Sequence, residues 1–140
     1  MPPVRRPART PPVVFDDAAW AEDLAAASER GREVAIAVRD EFELHGAPLA
    51  QLRECEAEGP DGTRLGQCLK VYLPPTHGAH GVVLKIERDR TNRRLRLVCI
   101  AFGPRHPPRS SNTSRVYEIA DRRLYASLSA ARAESPRDAR

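Results

Sequence analysis

The sequence predicts a small α+β fold, and three observations carry that expectation. Apolar residues recur every three or four positions from Trp20 to His45, the period falls to two at Leu69, and helical spacing returns at Val116. Helices set apart from a run of strands belong to this class rather than to an alternating βαβ chain. The expected order is a short N-terminal strand, an antiparallel helical hairpin, a three-stranded antiparallel meander and a C-terminal helix. A chain of 140 residues suits one domain with one core.

Residues 1–11, with Pro2, Pro3, Pro7 and Pro11 among Arg5, Arg6 and Arg9, are expected to form a disordered basic arm. Val13-Val14-Phe15 is long enough for a short strand. Asp16 or Asp17 then caps a helix whose buried stripe is Trp20, Leu24 and Ala27. Gly31 is read as the break before a second helix carrying Val34, Val38, Phe42 and His45, which Gly46 and Pro48 end. Residues 49–58 suggest a helical turn around Leu49 and Leu52, and Gly59-Pro60-Asp61-Gly62 reads as a turn.

Leu69, Val71 and Leu73 then alternate with Lys70 and Tyr72, so one strand face is apolar and the other presents an amine and a phenol. Pro74-Pro75 stops that strand. Val82, Leu84 and Ile86 alternate with Val83, Lys85 and Glu87 in the next. Residues 88–94 form a hairpin tip in which Asn92 suits a left-handed turn conformation. Leu95 to Phe102 is more continuously apolar, as in a strand covered on both faces, and Gly103-Pro104 ends the sheet. A loop rich in Pro, Ser and Arg spans 104–115. The last helix carries Val116, Ile119, Ala120, Leu124 and Leu128, giving one domain over 12–128 and a polar, flexible tail over 129–140.

The longest strongly apolar run, Leu97 to Phe102, is far too short to span a membrane, and no apolar secretory segment follows the N-terminal arginines, so a cytoplasmic protein is expected. Cys55, Cys68 and Cys99 form no CxxC pair and fit reduced thiols; no cofactor is implied. His77 and His80 share a His-x-x-His spacing, but no carboxylate or thiolate beside them completes a metal site.

Charge is more informative than its sum of +4. Residues 16–58 hold 12 acids and 4 bases, a net −8, while residues 59–140 hold 16 bases and 7 acids, a net +9. An anionic partner for the second half follows, nucleic acid first, with an ordinary solvated Arg-rich surface as the alternative. Arg outnumbers Lys 21 to 2, a bias expected of a GC-rich genome, so Lys70 and Lys85 stand out.

Several segments resemble the RelE/ParE toxin superfamily over roughly residues 13–125. They are Arg64-Leu65-Gly66 with Cys68 to Leu73, Val82 to Ile86, Ile100 to Arg105, and Arg115-Val116-Tyr117-Glu118-Ile119-Ala120. The likeness is to the RelE-like branch more than the ParE-like one. It implies a toxin of a bacterial type II toxin–antitoxin pair, with a cognate antitoxin as partner. RelE-like members cut mRNA in the ribosome without a metal, whereas ParE-like members of the same fold inhibit DNA gyrase.

Cleavage by a ribose 2′-hydroxyl calls for a proton acceptor, a proton donor and cations on the crowded phosphorane. The resemblance assigns Lys70 as base or transition-state cation, Arg105 as phosphate clamp, and Tyr117 as a stacking platform or proton relay. His80 is a further proton-transfer candidate, with His106 similar. Tyr72, Lys85, Arg96, Arg109 and Arg115 are candidate RNA contacts. Three places depart from the family pattern, one being about six extra residues within His106 to Ser114 that separate Arg105 from Tyr117. Tyr72 replaces a second lysine and Gly81 replaces an arginine, whose charge Arg109 or Arg115 would have to supply. A non-catalytic protein that inhibits gyrase or acts by protein binding is therefore the alternative reading. For each residue an ordinary structural role also stands: a solvated strand position for Lys70, pairing with Glu118 for Arg105, core packing for Tyr117.

Overall fold

The computed structural model describes residues 8–55, 65–73, 79–105 and 115–134, with side chains to residue 126. Its elements are β1 (Val14–Phe15), α1 (Asp17–Ala26), α2 (Glu29–His45), a 3-10 turn (Leu49–Gln51), β2 (Leu52–Glu54), β3 (Cys68–Tyr72), β4 (His80–Arg88), β5 (Leu95–Pro104) and α3 (Val116–Glu134). The α+β class and the antiparallel β3-β4-β5 meander are as the periodicity predicts. The sheet is larger than expected, with five strands in the order β1-β5-β4-β3-β2, β1 parallel to β5 and every other pair antiparallel.

The extra strand, β2, corrects the expected helical turn over 49–58. Helical hydrogen bonding lasts only through Gln51, after which Leu52 pairs with Val71 and packs on the core. Pairing with the exposed flank of β3 overrides the local spacing. Cys55 then donates its N–H to Cys68 O at 3.1 Å.

Strand alternation divides the interior in two. On one face Val71, Leu73, Val82, Leu84, Cys99 and Phe102 pack against Trp20, Val34, Val38 and Phe42 of α1 and α2. On the other, Cys68, Val83, Val98, Ile100 and Ala101 pack against Val116, Tyr117 and Ala120 of α3. Tyr72 belongs to this second group, so the polar flank of β3 faces the start of α3.

The helix break falls at Ala27-Ser28, not at Gly31. The Ser28 hydroxyl accepts the Gly31 N–H at 3.0 Å and caps α2 from outside, leaving Gly31 within the first turn. Glycine there serves packing: a Cβ would sit 3.2 Å from Ser28 Oγ and 3.4 Å from His80 Nε2. At the hairpin tip the left-handed residue is Arg93 (φ 59°), because the Asn92 side chain instead accepts the Arg94 N–H at 2.9 Å.

Arg9 and Thr10, expected within an unstructured arm, are tied to the fold. Thr10 exchanges hydrogen bonds of 2.9 Å with Ala47, and Arg9 reaches Gly46 O and Glu41. Gly46, at φ 80°, lets the chain pass against Thr10, where any Cβ would collide with its carbonyl. At the other end α3 continues to Glu134, beyond the expected limit at Leu128. Among the described residues no helix is long and apolar enough to cross a membrane. The Gly59–Gly62 turn, the Pro74-Pro75 stop, the 106–114 part of the loop and residues 135–140 lie outside the described residues.

Candidate functional site

Period-two geometry places Lys70 and Tyr72 on the α3 side of β3, and Tyr72 stands opposite Gly81 of β4. Arg105 leaves the end of β5, its N–H donating to Ala79 O at 2.7 Å. Arg115, just before α3, donates from Nε to the Arg105 carbonyl at 2.9 Å, which brings the first turn of α3 and its Tyr117 onto this corner of the sheet.

The result is a cluster of two phenol rings and three cations. Lys70 Nζ lies 5.4 Å from the Tyr72 ring centroid and 5.7 Å from that of Tyr117. The Arg105 guanidinium is 4.7 Å from the Tyr72 centroid and that of Arg115 is 5.4 Å from Tyr117. Ring quadrupoles hold cations in such positions without neutralising them. Among the described residues neither Lys70 nor Arg105 has a carboxylate partner, and Glu118 does not pair with Arg105.

Two donors at the centre have no recipient among the described residues: Arg105 Nε and the Tyr117 hydroxyl, both buried. A buried donor without an acceptor costs about 1–3 kcal/mol, so each of the two calls for a partner beyond the described residues. Burial first, then the neighbouring Tyr72, pushes the Tyr117 phenol up to about 12, against the downward pull of Arg105 and Arg115. At neutral pH it therefore donates and cannot act as a base. Being only 9% exposed, it also offers no free face on which a base could stack, which corrects one of its expected roles. Tyr72 is half-buried, with Arg105 and Lys70 against its ring.

The space that the resemblance gives to an arginine at position 81 is filled from elsewhere. A Cβ on Gly81 would fall 2.9 Å from Arg105 Cγ, so the stem of Arg105 occupies it, while Arg115 stands beside Tyr117.

Other expected site residues are not part of the cluster. His80 alternates with Gly81 and so points to the α1–α2 side. Its ring stacks on Phe102 at 5.4 Å, in a cavity of about 370 Å³ also lined by Asp23, Ser28 and Ile119. The sheet stands between it and Lys70. Lys85 and Arg96 converge on Glu87, at 3.1 and 2.8 Å, and the hydrogen bond from Arg96 holds that carboxyl below its ordinary value. Their charge is consumed locally. Arg109, His77 and His106 lie outside the described residues. Among the described residues no group of three or more His, Cys, Asp or Glu side chains is placed to hold a metal ion.

Sequence reasoning missed two features. Cys55 sits close enough to this corner to bear on Tyr117, its own thiol pushed up to about 11 by burial. Asp23, 7% exposed, binds Arg123 at 2.8 Å and accepts the Phe102 N–H at 2.9 Å. The signal for the second was present: Asp23 lies three residues after Trp20, on the buried stripe of α1. No family model matches the chain, and neither a curated protein nor a solved structure matches it.

Proposed function

We propose that this chain is a RelE-like toxin of a bacterial type II toxin–antitoxin pair, acting in the cytoplasm as a ribosome-dependent mRNA endoribonuclease. The observation that carries the reading is the convergence of Lys70, Arg105 and Arg115 on the Tyr72–Tyr117 pair, where Arg105 Nε and the Tyr117 hydroxyl have no partner among the described residues. A phosphodiester is the anionic acceptor that suits such a set of donors and cations. The α+β class and the antiparallel β3-β4-β5 meander are the coarser support for the reading.

In the reaction the ribose 2′-oxygen attacks the adjacent phosphorus as its proton passes to an acceptor. The bond to the 5′-oxygen then breaks, and that oxygen takes a proton, leaving a cyclic phosphate and a 5′-hydroxyl end. Arg105 and Arg115 offset the charge on the phosphorane, and Tyr117, held protonated, donates to it. Lys70 is the proton acceptor or the third cation. An antitoxin would silence the protein by covering this corner with acidic chain.

Expression without the antitoxin should arrest growth, and mRNA recovered afterwards should carry new 5′-hydroxyl ends. Alanine at Lys70 and Arg105 together should abolish both. The placement of His80 beyond the sheet removes one proton-transfer group from the cluster and favours a second reading, a ParE-like protein that inhibits DNA gyrase. Under that reading the double variant stays toxic and no new ends appear.

A further inference from the structure

Gly81 stands between Tyr72 of β3 and Gly103 of β5, near the end of the ladder on the central strand. Its backbone does not require glycine, since Gly46 is the one glycine at positive φ among the described residues. Its surroundings do. A Cβ at 81 would lie 2.9 Å from Arg105 Cγ and 3.1 Å from Cδ, well inside ordinary carbon contact, while Val71 O at 3.5 Å would tolerate it. Cγ and Cδ belong to the root of the side chain, so Arg105 could relieve that contact only by leaving its rotamer. Doing so would carry the guanidinium away from the Tyr72 ring, 4.7 Å from it in this structure.

We infer that Gly81 is the positioning residue of the cation cluster: by lacking a Cβ it lets the Arg105 stem cross β4 and hold the guanidinium on Tyr72. Its consequence for RNA rests on the function proposed above; its geometry does not. Gly103 is a matched comparison, buried in the same ladder, where a Cβ would meet only Val116 Cβ at 3.8 Å.

The test compares the wild-type protein with Gly81→Ala, Gly103→Ala, Arg105→Ala and the Gly81→Ala/Arg105→Ala double variant. The Arg105 δ protons, assigned by NMR, should carry the upfield displacement of protons over a ring face in the wild type and in Gly103→Ala. They should lose it in Gly81→Ala. Affinity for a short single-stranded oligoribonucleotide should fall about tenfold in Gly81→Ala, the size of one charge-assisted hydrogen bond, and hold in Gly103→Ala. If Gly81→Ala folds poorly, the double-mutant cycle still decides. The stability lost at position 81 should vanish once Arg105 is alanine, because the two changes share one contact. An equal loss in both backgrounds, or an undisplaced Arg105 in Gly81→Ala, overturns the assignment. A wild-type protein that does not bind the RNA, with the ring displacement and the cycle as expected, overturns the RNA reading and leaves Gly81 its role.

Discussion

Tyr117 concentrates the chemistry of the cluster in one atom. Its hydroxyl is buried and bears no hydrogen bond among the described residues, and its ring has Lys70 at 5.7 Å and Arg115 at 5.4 Å from the centroid. Removing that oxygen deletes a donor that folding leaves unsatisfied. Tyr117→Phe should thus keep stability, or raise it by up to about 1 kcal/mol, while weakening RNA binding and cleavage about tenfold. Chemical denaturation beside a cleavage assay separates the two effects; a parallel fall in both would make the hydroxyl merely structural. Its titration adds a second signature. The unfolded phenol releases its proton near pH 10 and the folded one at about 12, so the folded state binds more protons in that interval and loses stability as pH rises through it. Melting followed from pH 9 to about 11 should therefore descend more steeply for the wild type than for Tyr117→Phe. Cys55, raised by burial to about 11, also titrates in this range and steepens both curves.

Among the elements, β5 shows how one irregularity is secured by distant residues. Val83 pairs with Ala101 but Leu84 pairs with Cys99, which leaves Ile100 as an extra residue and puts Ile100 and Ala101 on the same α3 side. A bulge strands backbone groups, and two side chains collect them. Asp23 of α1 accepts the Phe102 N–H, and Arg123 of α3 donates to the Ile100 carbonyl at 2.7 Å. The two then bind each other, joining both helices to the central sheet. Asp23→Ala should cost about 3 kcal/mol in urea denaturation, since it leaves Arg123 without its buried partner and Phe102 without an acceptor. Asp23→Asn, which keeps an acceptor for Phe102, should recover part of that loss; an equal cost would assign everything to the charge. This clamp was not legible in the sequence, because the partners lie 100 residues apart and meet only where α3 crosses the bulge. The Lys70–Tyr72 face was legible, since period two alone sends both side chains one way. The same rule, applied to His80 beside Val82 and Leu84, would have placed that histidine on the far face. β2 escaped because three residues carry too short a pattern to outweigh helical spacing.

At the scale of the whole molecule the question is how much of the basic half an RNA would engage. That half carries a net +9 against −8 over residues 16–58, which contain α1, α2 and β2. Much of the positive charge is already committed. Arg123 is taken by Asp23 and Glu22, and Lys85 and Arg96 by Glu87. An RNA drawn to the basic half but repelled by the acidic helices would settle where cations lie on aromatic rings without a carboxylate, at Lys70 and Arg105. Binding of single-stranded RNA loses affinity with salt in proportion to the phosphates neutralised, with a slope of about −0.7 for each. With Arg115, three such contacts give a slope of about −2.1 in log K against log salt, whereas engagement of the whole net charge would give about −6. Titration of a short oligoribonucleotide by fluorescence anisotropy across about 0.05–0.4 M salt distinguishes these cases. Lys70→Met should then bring the slope to about −1.4, while Arg96→Met, which removes a cation already paired with Glu87, should leave it unchanged. A slope that responds to Arg96 and not to Lys70 would move the RNA to the hairpin tip and away from the tyrosine pair.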